Sequence, residues 1–246
     1  MSRFHHSQHY AVFLVTLLFA GVIVAYPLFD YDLYWHLANG REMLAGKYIV
    51  NSEIFSYTRA GTSFVNHEWL AQTLLFWIYQ HWGGIGLNVF KVGMALLTAA
   101  VIYRTCRKLG SNSYLASFLT LSTVLVCISR FNVRPELFSL LNLALLSAIL
   151  HGYLHRRVSK RALYFIPVIM VPWDWLHGAV YGAALLACLV GGENIKHWLA
   201  RRRGTPNPAG DLLPSLNLWI AVTAAAMLLN PYGLLSYDIF IEFFPR

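Results

Sequence analysis

A chain of 246 residues that is 57% hydrophobic and only 12% charged carries about half the charge of a soluble domain, where roughly 25% is usual. A soluble domain of this size cannot hide so much apolar surface, so the composition excludes that class and indicates a polytopic membrane protein. The net charge of +8 does not by itself indicate a nucleic-acid partner. The basic residues lie in short clusters between apolar runs, the distribution that sets membrane topology, and not among aromatics on a polar surface.

In chain order, MSRFHHSQHY reads as a cytoplasmic tail, with His5, His6 and His9 in it. Tyr10–Phe29 is apolar over the roughly 20 residues that cross a bilayer. No small-residue cleavage site precedes Asp30, so this run is expected as a retained first helix. Asp30–Glu68, DYDLYWHLANGREMLAGKYIVNSEIFSYTRAGTSFVNHE, is the one long stretch that mixes carboxylates, histidines, amides and arginines. The run 69–82, WLAQTLLFWIYQHW, is short for a span. Further apolar segments fall at 85–103, 114–129, 136–154, 162–176, 178–193 and 213–230, and 233–244 is amphipathic. Arg203–Pro214, rich in Pro and Gly, reads as a flexible loop. Cys106, Cys127 and Cys188 lie far apart at apolar runs, which favours buried thiols over metal ligands.

Charge decides whether 69–82 spans. If it lies in the interface, Arg3 and the clusters Arg104, Arg107, Lys108; Arg156, Arg157, Lys160, Arg161; and Lys196, Arg201, Arg202, Arg203 all fall on one side. These are 12 of the 19 Lys and Arg residues. The positive-inside rule therefore places 69–82 along the interface and the N-terminus in the cytoplasm. Trp69, Trp77 and Trp82 suit the headgroup level. The expected architecture is all-α: one transmembrane domain over 1–246, about seven crossings, and a long outer loop 30–84 carrying interfacial helices. On this topology 30–84, Arg130–Glu136, Trp173–Gly178 and Asn230–Tyr232 face outward, and function is expected there.

Carboxylates at the mouth of a membrane helix are costly unless used or solvated. Asp32 and His36 are four apart and share a helical face, suited to proton relay or to a divalent ion. The plainer role for Asp30 and Asp32 is helix capping. Asn66, His67 and Glu68 form either a helix start or a second acid/base group opposite Asp32. Asp30, Asp32, His36, His67 and Glu68 together are a candidate metal set without diagnostic spacing. Arg130 and Arg134, against the positive-inside trend, suit bidentate binding of phosphate, or else pair with Glu136 or an outer aspartate. Lys91 either snorkels or meets a lipid phosphate. Asp174 and His177 end an apolar run, and Asn230 opens the turn Asn-Pro-Tyr-Gly.

DYDLYWHLANGREML, NSEIFSYTRAGTSFVNHEWLAQTLLFWIYQ, RPELFS, WLHG and NPYG together resemble the N-terminal half of bacterial polytopic proteins related to the GT-C glycosyltransferases. The resemblance implies a bacterial inner-membrane, multi-pass enzyme that transfers a sugar from a polyprenyl-phosphate donor at the periplasmic face, with inversion. It implies that Asp32, or Asp30, is the general base, with His36 beside it. Arg130, Arg134 and Lys91 would hold the departing phosphate, and His67, Glu68, Asp174, His177 and Asn230 would line the substrate site. The sequence departs from the pattern in its Asp-Tyr-Asp motif, where Asp-Glu is common, and in Asp174, where an asparagine is expected. It also ends at Arg246, before the further helices usual in such enzymes. The alternative is a non-catalytic, shortened scaffold serving as a subunit of a larger membrane complex.

Overall fold

The computed structural model describes the backbone of residues 2–28, 30–46, 48–233 and 235, with side chains from residue 8 onward. Among these residues the chain is all-α. Eight helices follow in order: α1 Ser2–Val24, α2 Asp32–Gly46, α3 Trp69–Lys108, α4 Ser113–Val126, α5 Glu136–Leu154, α6 Phe165–His177, α7 Val180–Arg202 and α8 Leu213–Ala226. Short 3-10 turns lie at Ile128–Arg130, Lys160–Tyr164 and Met227–Leu229. The extended contact in the polar loop is an isolated bridge between Ser52 and Ser63. The amphipathic segment expected at 233–244 lies outside the described residues from 236 on, as do the side chains of His5 and His6.

Local chemistry explains the boundaries. α1 stops at Val24, before the phenylalanine expected to end it, because Pro27 disfavours helix in the residue ahead of it. α1 also begins earlier than expected, and His9 Nδ1 lies 2.7 Å from Ser113 Oγ, which ties the supposed tail to the start of α4. The Asn112 side chain caps α4 by accepting from Leu115 N at 2.8 Å. Pro135 stands at the N-cap of α5.

α3 is 40 residues long but is not one rod. Gly83 takes φ 59, ψ −155 inside it, a conformation open to glycine alone. The break separates an arm over 69–82 from a second over 84–108, the same division the sequence suggested. α2 lies on the first arm: Leu33 and Leu37 pack with Leu75, Ile78 and Val133, each buried side chain contributing about 1.5–3 kcal/mol. Gly40 allows the close approach, since a Cβ there would strike the Gln72 carbonyl. The larger cores join α1, α3 and α4 around Ala20, Ala95 and Val124, and α5 through α8 around Leu146, Ile166, Met170, Trp173 and Leu216.

By length and composition, α3 and α5 are apolar enough to cross a membrane, while α4 and stretches of α1 and α8 are shorter apolar helices. Large apolar side chains stand outward along them, among them Leu18, Val22, Ile85, Val89, Phe118 and Leu218. The helices define two ends. At one, Arg104 lies over the Phe13 ring, Arg104 and Lys108 border the same cavity as Gly152, and Arg156 donates to Asp211 at 2.7 Å. This is the basic end. At the other, the Tyr26 hydroxyl donates to the Phe131 carbonyl at 2.9 Å, and the polar motifs gather.

Gly83→Ala is expected to cost about 1–2 kcal/mol through backbone strain alone, since open space surrounds that position. Gly84→Ala, in helix with only Leu28 near it at 3.9 Å, is expected to be neutral. Thermal melting of both variants in detergent checks the pair.

Candidate functional site

The first group is an arginine clamp. Asp30 Oδ1 accepts the N–H of Asp32 at 3.0 Å and so starts α2. Arg134, in the turn before α5, donates from Nε and Nη2 to both oxygens of Asp30, the second bond at 2.7 Å. Its Nη1 lies 3.0 Å from Asp32 Oδ2. The Asp30 side chain is 2% exposed, whereas that of Asp32 is 59% exposed. One guanidinium thus fixes the chain leaving α1, the start of α2 and the start of α5. The fork geometry of arginine suits this role, and lysine could not fill it. Arg130 pairs with Glu136 at 3.3 Å from an exposed position.

The second group surrounds Glu68, the N-cap residue of α3, whose carboxylate does not cap the helix. Instead it points among three imidazoles. His36 Nδ1 is 3.6 Å from Oε2, His67 Nε2 is 3.8 Å from Oε1, and His177 Nε2 is 3.6 Å from Oε1. These separations exceed ordinary hydrogen bonds, so the carboxylate and rings face one another without being locked together. Buried amides set the frame. Asn66 Nδ2 donates to Gln72 Oε1 at 2.8 Å, and Gln72 Nε2 lies 3.4 Å from His36 Nδ1. His177 is turned by Ser139, whose Oγ is 2.7 Å from its Nδ1 and accepts from Trp173 Nε1 at 2.7 Å. Behind them Asn230 Nδ2 donates to Asp174 Oδ2 at 2.7 Å, and the Tyr232 hydroxyl donates to the Val50 carbonyl at 2.9 Å.

Burial dominates the electrostatics. It pushes the Glu68 carboxyl up to about 7, with the Gln72 amide pulling the other way, Asp32 adding to the rise and Arg134 opposing it. It pushes His36 down to about 4, against the pull of Asp32, and lowers His67 as well. The arrangement therefore carries a carboxyl that changes protonation near neutral pH among rings that burial keeps from charging.

The structure brings Asp30, Asp32 and Arg134 into one group, and His36, His67, Glu68 and His177 into another. Asp32 and Arg134 both act on the Glu68 carboxyl, so the two groups adjoin. Asp174 and Asn230 back the second group, and Asp174 acts on His67. Asp32 and His36, expected to work as a pair, divide between the groups. Arg130 stays at the margin. Lys91 stands apart: it is wholly buried, donates to the Tyr26 carbonyl at 2.6 Å and lies 3.9 Å over that ring. Among the described residues no three His, Cys, Asp or Glu side chains are placed to hold a metal ion, so the divalent-ion alternative has no built site. Gln72 and Ser139 were not singled out from the sequence. The signal for Gln72 is an amide inside WLAQTLLF, four residues after Glu68 and so on its face of the helix.

No family model, curated protein or solved structure matches the chain.

Arg134→Ala leaves Asp30 buried without its partner and is expected to cost about 2–4 kcal/mol, somewhat below a fully buried pair because the guanidinium is part-exposed. Arg130→Ala is expected to cost under about 1 kcal/mol. Comparative melting separates the two. For Glu68 the folded value of about 7 lies above the usual 4.5. Its contribution is therefore complete below pH 4.5 and lost as pH rises through 7. Glu68→Gln, which imitates the neutral form, is expected to gain about 2 kcal/mol on wild type between pH 5 and pH 8, read from melting curves at the two values.

Proposed function

We propose that this chain is a multi-pass protein of the bacterial inner membrane, with a cytoplasmic N-terminus and about seven crossings, that transfers a sugar from a polyprenyl-phosphate donor at the periplasmic face in the manner of GT-C glycosyltransferases. The observation that carries the reading is convergence. Five short motifs spread from residue 30 to residue 233 meet at one end of the helices, opposite the basic loops. They bring a cation in a bidentate fork and a proton-active carboxyl to adjoining positions, the pair of functions that glycosyl transfer from a phosphate demands.

The parts take roles from their exposure. Asp30 holds Arg134 permanently, because that ion pair is closed to solvent on the aspartate side. Asp32, exposed on the same guanidinium, is the partner that an incoming phosphate displaces. An apolar groove of about 740 Å³ lined by Leu28, Ile85, Val89 and Leu96 opens beside the Gly83 break, and a polyprenyl chain fits its chemistry. The basic loops at the far end support the orientation.

One observation favours the second reading, a non-catalytic scaffold in a larger membrane assembly. Arg134 is already satisfied by two aspartates, as a purely structural clamp would be.

The test uses the full chain in liposomes with polyprenyl-phosphate hexoses and a panel of hydroxyl acceptors, free saccharides and lipid-linked saccharides. Wild type is expected to release polyprenyl phosphate, and Arg134→Lys to lower turnover at least about tenfold by losing the fork while remaining folded. Absence of release with every donor rejects the enzyme reading and leaves the scaffold. In a cysteine-free background, single cysteines at Tyr57, which is fully exposed, and at Arg202 are expected to label from opposite sides of the membrane. Labelling from one side rejects the topology.

A further inference from the structure

The aspartates that begin the outer loop are the obvious bases, yet their geometry commits them elsewhere. Both Asp30 oxygens accept from Arg134, and Oδ1 also accepts the N–H of Asp32. Asp32 is engaged on the same guanidinium. Glu68 is the neighbouring carboxylate with no cation on it. Its oxygens face His36, His67 and His177 at 3.6–3.8 Å, too long for a locked bond and short enough for a proton to pass after a small shift. Its side chain is 13% exposed, so it is shielded but not sealed.

We propose that Glu68 is the proton-exchanging carboxyl of this site and, in the transfer reaction, the group that takes the proton of the acceptor hydroxyl. The second half of this statement rests on the glycosyl-transfer reading; the first does not. In the reaction the acceptor O–H bond breaks and its proton joins a Glu68 oxygen. The acceptor oxygen bonds to the anomeric carbon as the bond from that carbon to the phosphate oxygen breaks. The electron pair leaves on polyprenyl phosphate. The proton then passes from Glu68, whose side chain is 13% exposed, to water at the mouth of the site. No oxidant or further reactant is required.

The surroundings set the proton's behaviour from every packed element. α2 contributes His36 and exposed Asp32. The turn into α5 contributes Arg134, and the first residue of α5 is Glu136. α6 contributes His177, with Asp174 behind it. His67 and Gln72 flank the carboxyl in its own segment. Burial favours the neutral acid, and Arg134, the facing cation among the described residues, is already shared by two aspartates. The result is a base matched to neutral pH, where proton transfer is most effective. Gln72 positions His36 and acts on Glu68 without touching a reactant, so it is a positioning residue.

The experiment joins two readouts on the full chain in liposomes. Infrared difference spectra across a pH titration are expected to show a protonated-carboxyl band that fades near neutral pH in wild type, is absent in Glu68→Gln and survives in Asp32→Asn. Turnover of polyprenyl-phosphate hexoses is expected to fall at least about a hundredfold in Glu68→Gln, within the range a general base supplies. In Asp32→Asn it is expected to fall less than about tenfold. If Glu68→Gln does not fold, Glu68→Asp keeps the carboxyl but displaces it, and is expected to shift the midpoint of the band. A band that persists in Glu68→Gln, or turnover that depends on Asp32 more than on Glu68, overturns the proposal. A band that behaves as expected in a chain with no turnover upholds Glu68 as the proton-exchanging group and overturns the glycosyl-transfer reading instead.

Discussion

Arg134 is the constraint on which the polar end depends. Its guanidinium reaches Asp30 with two bonds and Asp32 with a third contact, and so joins segments about a hundred positions apart in the chain. Van der Waals packing among apolar helices fixes their neighbours but says little about register, since lipid tails and leucine side chains are equally apolar. A planar fork bound to a buried carboxylate permits one register. Once α1, α2 and α5 are pinned, Val133 joins Leu33, Leu37, Leu75 and Ile78 in one small core. α2 then presents His36 to the start of α3.

The two carboxylate groups illustrate how environment divides labour among identical chemistries. Asp30 and Asp32 share a cation. Glu68 lies beyond them, surrounded by rings that burial holds near neutrality, and its own burial favours the acid form. The amides Asn66 and Gln72 keep this region polar without adding charge. Had lysine or arginine stood where Gln72 stands, Glu68 would be ion-paired and unable to exchange a proton near neutral pH.

Much of this was legible in the sequence because the signals are of long range in composition and short range in pattern. Apolar runs gave all-α, and the separation of the runs 69–82 and 85–103 marked the division within α3. The residues of the site were also visible as polar exceptions among apolar runs. Their partnering was not. Asp32 and His36 are correctly spaced to share a face, but a helical face is wide, and Arg134, distant by about a hundred positions, draws Asp32 to the surface while Glu68 draws His36 inward. Sequence spacing carries no information about such a competition. Lys91 shows the same limit. Snorkelling and phosphate binding both assumed an outward side chain, whereas a free carbonyl and an aromatic face at Tyr26 satisfy it internally, as a buried ammonium requires.

Lys91 in turn explains why the clamp can stay rigid beside a mobile proton. Its ammonium fixes the Tyr26 carbonyl, and the Tyr26 hydroxyl donates to the carbonyl of Phe131, with Asn132 Oδ1 at 3.2 Å. That turn leads directly into Arg134. The chain entering the clamp and the chain leaving it are thus held from below by one lysine and one tyrosine, neither of which faces the Glu68 group. Rigid support from behind and loose contacts of 3.6–3.8 Å in front are what a proton-exchanging site requires: the frame must not move when the proton does. A site held only by its own ionisable groups would rearrange with each change of charge, and this one is supported by groups outside it.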